Sequence, residues 1–188
     1  THVGKFMPRC SYVLRMLVEI IPLGGIEAAI KREVSSALRN VYGADVSFRE
    51  AKQMPQTLYD KSRGQYRAEG LLEFIAHRGK ADKIVGITNE DMHYTGRNYV
   101  FGLAYLGGKA CVISTYRLKG QAQREFSNKT EQEVFVGRVR KEVIHEVGHT
   151  LGLEHCSNNR CVMSFSPTVL DVDRKEEYLC GSCKRELD

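Results

Sequence analysis

The stretch His145-Glu146-Val147-Gly148-His149-Thr150-Leu151-Gly152-Leu153-Glu154-His155 decides how this chain is organised around its chemistry. On a helix, His145 and His149 stand at i and i+4 and share a face. Both imidazoles then reach one metal at about 2.0–2.1 Å. Glu146, next in sequence to His145, lies close to that metal without occupying a ligand position, where it can take a proton from water. A helix continued through Gly152 would carry His155 past the metal. Glycine adopts positive φ at little steric cost, so a turn at Gly152 brings His155 back as third ligand. Three neutral imidazoles leave a fourth position open to water, the catalytic arrangement. An ordinary helix with surface histidines leaves Glu146, Gly152 and His155 unexplained.

A second constellation starts at the next residue. Cys156 and Cys161 form one close pair, and Cys180 and Cys183 another after an intervening loop. This is a frequent layout for a structural tetrathiolate zinc site, in which four soft donors leave no room for water. The alternative is a pair of disulfides in a secreted protein. Met163 follows Cys161 by two positions.

The combined pattern, His-Glu-x-x-His-x-x-Gly-x-x-His-Cys, then Cys-x-Met, then Cys-x-x-Cys, resembles the signature of the archaemetzincins, a branch of the metzincin zinc metallopeptidases. The resemblance implies that His145, His149 and His155 bind a catalytic zinc and that Glu146 is the general base. It also implies that Cys156, Cys161, Cys180 and Cys183 bind a second, structural zinc, giving two zinc ions per chain. Met163 would form the Met-turn beneath the first metal. Some metzincins use a tyrosine after the Met-turn to support the oxyanion; Phe165 stands near that position and has no hydroxyl. Tyr94, Tyr99, Tyr105 and Tyr116 are the remaining hydroxyl candidates. Pro8-Arg9-Cys10 has only a faint likeness to a latency segment and is read as coincidence.

With 188 residues and 42% hydrophobic content, the chain suits one compact soluble unit. No apolar run approaches the roughly 18 residues of a membrane span, and no cleavable leader is recognised. The net charge of +5 is spread along the chain. No basic stripe or stacking module for nucleic acid is visible. Cys10 and Cys111, beside a thiolate cluster, suit a reducing interior, so a cytoplasmic location is expected. Peptide is the expected partner, with no nucleic acid, no membrane and a monomeric chain. His77 and His93 are isolated and read as surface or packing residues.

Tyr12–Ile21 reads as a strand ended by Pro22, and Ile26–Tyr42 as an amphipathic helix. Asp45–Glu50 alternates as a strand, Gln65–Arg78 reads as a second helix and Ile84–Thr88 as a buried strand. Asn98–Tyr105 and Lys109–Tyr116 form a hairpin across Gly107-Gly108. Thr130 and Glu133 make a capping box at the start of the histidine helix, whose Val136, Val139, Val143 and Val147 supply a buried stripe. The expected fold class is α+β: an α/β-type mixed, twisted sheet with packed helices. A metzincin-like N-terminal subdomain (1–152) would carry the active-site helix, and a small zinc-stapled C-terminal subdomain (153–188) the Met-turn and cysteines. A lobe that short buries too little surface to stand alone, which is why it needs a metal. The functional expectation is zinc-dependent peptide hydrolysis. The competing class is a zinc-stabilised binding domain whose three-histidine site is weakly metallated or idle.

Overall fold

The structure, a computed structural model, describes residues 15–120 and 128–187. Five strands form the main sheet: β1 (Leu17–Leu23), β2 (Asp45–Phe48), β5 (Lys83–Thr88), β7 (Gly102–Ala104) and β8 (Ala110–Ser114). Their order is β2-β1-β5-β8-β7. The first four neighbours run parallel, while β7 is antiparallel to β8 and forms an edge. Helix α1 (Ala28–Tyr42) crosses between β1 and β2, and α2 (Ala68–Ala76) precedes β5. A small second sheet joins β3 (Tyr59–Asp60), β4 (Gln65–Arg67) and β6 (Met92–His93).

Alternation along the central strands distributes their side chains to two cores. Val18, Ile20, Val85, Ile87, Cys111 and Ile113 face α1 and the long helix α3 (Glu131–Thr150). Ile21, Leu23, Ile84 and Val112 face the other way, onto Leu71, Leu72 and Ile75 of α2. The valine stripe of α3 is buried throughout, which fixes the rotation of that helix against the sheet. Thr130 and Glu133 close the capping box that starts it.

Beyond α3 the chain carries two short helices, α4 (Val169–Arg174) and α5 (Gly181–Arg185). Leu153, Cys161, Val162, Met163, Leu179 and Cys183 pack on Ala37 and Ile144 in a third core. Arg138, itself buried, makes a bidentate contact with Asp173 at 2.8 and 2.7 Å, and Arg140 does the same with Glu177. These forks tie the C-terminal segment to α3.

Three boundaries differ from the sequence reading. Pro22 lies inside β1 rather than ending it. Its carbonyl accepts from Lys52, and the missing N–H would point to the same side, beyond the last residue of β2. Gln65–Arg67 is strand, not the first turn of α2, because β4 pairs with both β3 and β6. The hairpin strands are shorter than expected, and β7 is the one that borders open space. Cys10, with Pro8 and Arg9, lies outside the described residues. Among the described residues no helix is long and apolar enough to cross a membrane.

Candidate active site

Helix α3 delivers His145, Glu146 and His149 to the floor of a cleft of about 760 Å³. Gly152 takes φ +98° two residues past the helix end, and the chain turns back so that His155 joins them. The side-chain nitrogens of the three histidines lie within 4.8 Å of one another. His145 and His149 approach to 3.0 Å between their Nε2 atoms.

The outer partners decide what those nitrogens can do. His145 Nδ1 donates to the Val162 carbonyl at 2.8 Å, and His149 Nδ1 donates to the Leu153 carbonyl at 2.7 Å. With the proton held on Nδ1, each Nε2 presents a lone pair inward. Burial lowers the pKa of His145 well below the ordinary 6.5, and the charges of Lys175 and His149 push the same way. Burial also lowers His149 and His155. Two neutral rings with facing lone pairs at 3.0 Å repel, so the contact is not an ordinary hydrogen bond. A shared cation resolves it, and zinc, which accepts three imidazoles, fits this donor set.

Glu146 is buried beside them, and no hydrogen-bond partner for its carboxylate is found among the described residues. Its pKa is raised well above 4.5, first by burial and then by the negative charge of Glu142, with Lys175 opposing. The edge strand explains its tight setting. A Cβ built on Gly102 of β7 would lie 2.5 Å from Glu146 Oε1, so an alanine there would force the strand or the carboxylate to shift. Met163 is fully buried with its sulfur against Gly148, where a Cβ would collide. Phe165 is exposed and its ring centroid stands 5.1 Å from that of His155. Tyr94 and Tyr99 line the cleft; the Tyr99 hydroxyl is engaged, donating to the Pro167 carbonyl at 2.7 Å.

The four cysteine sulfurs converge on a separate point, also within 4.8 Å of one another. Cys156 to Cys180, Cys180 to Cys183 and Cys161 to Cys183 measure 3.7, 3.7 and 3.8 Å. A disulfide needs about 2.05 Å, whereas sulfurs about 2.3 Å from a tetrahedral zinc stand about 3.8 Å apart. The spacing therefore fits a tetrathiolate metal and not the disulfide alternative. Backbone N–H groups help hold the charge: the Cys183 amide and the neighbouring thiols draw the Cys180 thiol down to about 7, and the Cys180 N–H donates to Cys161 Sγ.

Several site residues escape sequence reading. Glu142 and Lys175 line the cleft as a buried pair at 3.3 Å, and Lys175 also donates to the Ser164 carbonyl. Neither has a local signal, since the pairing joins α3 to the end of α4. Gly102 did carry one: an isolated glycine in a strand marks close backbone approach. His77 hydrogen-bonds the Glu73 carbonyl and His93 stands 3.8 Å from Asp60; neither belongs to the two clusters.

Comparison with known proteins agrees with this geometry. The profile described as Peptidase family M54 matches residues 26–188. The archaemetzincin of Haloquadratum walsbyi is 55% identical over 172 residues, covering 92% of this chain and 99% of the relative. The crystal structure of the archaemetzincin of Methanopyrus kandleri is 34% identical with a TM-score of 0.81, over 97% of both chains. That from Archaeoglobus fulgidus is 36% identical with a TM-score of 0.79, covering 91% of this chain and 99% of the other. The binding-domain reading, with an idle histidine site, is not favoured by these likenesses. The chain belongs to peptidase family M54, the archaemetzincins, and is a zinc metallopeptidase.

Proposed function

We propose that His145, His149 and His155 hold the catalytic zinc, and that Glu146 is the general base of peptide-bond hydrolysis. The observation that carries this reading is the convergence of three imidazoles, held neutral by burial, beside a buried carboxylate with no hydrogen-bond partner among the described residues. Zinc, when bound, acidifies coordinated water and polarises a scissile carbonyl. The chain's own residues supply the rest. Glu146 takes the proton of the attacking water, a task for which its carboxylate is placed beside the three histidines. It then returns the proton to the leaving amine. The free edge of β7 offers backbone groups to an extended peptide, which adds as an antiparallel strand. Because Gly102 abuts Glu146, that strand sets the scissile bond at the level of the base.

Cys156, Cys161, Cys180 and Cys183 are proposed to hold a second, structural zinc, making two per chain; Met163 forms the Met-turn. The division at 152/153 follows the same logic, with the thiolate metal stabilising a C-terminal subdomain of little core. Sulfur separations too long for disulfides and a free buried Cys111 favour a reducing, cytoplasmic setting. Both sites are complete within one chain, in keeping with a monomer.

Metal analysis and turnover of a peptide mixture test the reading together. The expected result is two zinc ions per chain and cleavage that a Glu146→Gln variant loses by about 10²–10⁴-fold while keeping both metals. Full turnover in that variant would remove Glu146 from the mechanism.

A further inference from the structure

We infer that Arg97 forms an anion-binding subsite on the leaving-group side of the cleft, and that the enzyme favours peptides carrying a carboxylate within about three residues past the scissile bond. The inference rests on the peptidase reading above and adds a substrate class to it. Arg97 is exposed in the turn between β6 and β7, where Tyr94 and Arg97 form an isolated bridge, and it lines the cleft. Its guanidinium stands 5.1 Å from the centroid of the Phe165 ring, which itself stands 5.1 Å from that of His155. The cation is therefore no more than about 10 Å from the third histidine, the reach of about three extended residues.

Two further observations make this a built position. Arg63 donates to the carbonyls of Arg97 and Asn98 at 3.4 and 3.1 Å, and Gln65 donates to the Asn98 carbonyl at 3.0 Å. Tyr99 anchors the same loop to Pro167. The backbone carrying Arg97 is thus pinned by the β3–β4 hairpin and by the Pro167 segment. Yet among the described residues no carboxylate pairs with its guanidinium, although Glu154 lines the same cleft. By contrast, Arg117 makes a bidentate contact with Asp91. The Arg97 guanidinium lies over the Phe165 ring, and among the described residues its N–H groups make no hydrogen bond, so the fork is free to grip a carboxylate.

Strand direction assigns the side. A peptide antiparallel to β7 runs opposite to Gly102–Ala104. Its residues beyond the scissile bond then lie beside the segment that precedes Gly102, where Arg97 sits. The carboxylate has two sources: the free C-terminus of a short peptide, or an Asp or Glu side chain.

Binding to the zinc-loaded full chain carrying Glu146→Gln, which prevents turnover, tests this by fluorescence anisotropy. Three labelled probes are compared: a neutral peptide with a free C-terminus, its C-terminal amide, and amides scanned with a single Glu. Adding Arg97→Gln is expected to weaken the free acid, the Glu-bearing amides, or both by about tenfold or more, and to leave the neutral amide unchanged. Whichever probe responds identifies the source of the carboxylate. Arg97→Lys should restore part of the loss, since it keeps charge without the planar fork. Unchanged binding of all probes, or equal weakening of the neutral amide, would overturn the subsite. Cleavage of the same peptides by the wild-type enzyme is read separately. If none is cleaved, the peptidase reading fails, while binding still decides the role of Arg97.

Discussion

Gly102 on the edge strand and Glu146 on the active-site helix meet so closely that a Cβ on the first would lie 2.5 Å from a carboxylate oxygen of the second. Two elements distant in sequence thus share one constraint: the strand proposed to receive substrate also walls in the proposed base. Replacing Gly102 by Ala must move one of them. Since misplacement by about 1 Å costs on the order of a hundredfold in rate, Gly102→Ala should lower kcat by ten- to a hundredfold at unchanged zinc content. Steady-state kinetics with metal analysis checks it, and a normal kcat would show that the wall is not a constraint on the base.

How far this site was legible follows from where its information lies in the chain. His145, His149 and His155 could be picked out because helical spacing and one glycine bring them together locally, and the structure places their nitrogens within 4.8 Å. The parallel core was legible in its buried runs, such as Ile84–Thr88. What escaped depends on contacts between distant segments. Lys175 meets Glu142 only after the chain has turned through the cysteine lobe. Pro22 is tolerated inside β1 because β2 has already ended beside it, which no property of the β1 sequence discloses. Edge position of β7 likewise follows from sheet order.

The thiolate cluster and the histidine cluster share backbone. Cys156 follows His155, and its N–H donates to the Met163 carbonyl at 3.0 Å. Cys180, 3.7 Å from both Cys156 and Cys183, would be a corner of the proposed thiolate tetrahedron. Cys180→Ser should therefore lower the melting temperature and reduce zinc at the histidines as well, because losing a structural metal unfolds the segment it organises. Metal content per site, read in the variant alone and combined with His149→Ala, measures the effect. Retention of full metal and activity at the histidines would separate the two sites.

Acid dependence of zinc binding has a defined direction. Protons compete with zinc for imidazole lone pairs, and burial holds the pKa values of all three histidines below 6.5. The break at which affinity starts to decline should lie at lower pH than for exposed imidazoles, because the folded-state values are all lowered. Equilibrium dialysis across pH, with His149→Ala as the blank, gives the curve. A break at or above that of exposed imidazoles would mean that these rings are not desolvated as the fold implies.

Lys175 and Glu142 form a charged pair in which both side chains are almost wholly buried, 3.3 Å apart at the margin of the cleft. Such a pair gains little over an apolar replacement of both partners, because each charge must leave water. Removing one partner is different, since the other is left buried and uncompensated. Lys175→Met should destabilise the protein by about 3–5 kcal/mol. It also strips the Ser164 carbonyl of a donor, loosening the segment that follows Met163. Adding Glu142→Gln should recover much of the stability, because neither member of the pair then carries a charge. The recovery separates charge compensation from simple loss of packing, which the second substitution could not repair. Denaturant unfolding of the two single variants and the double variant closes the cycle, and additive losses would show that the pair is not coupled.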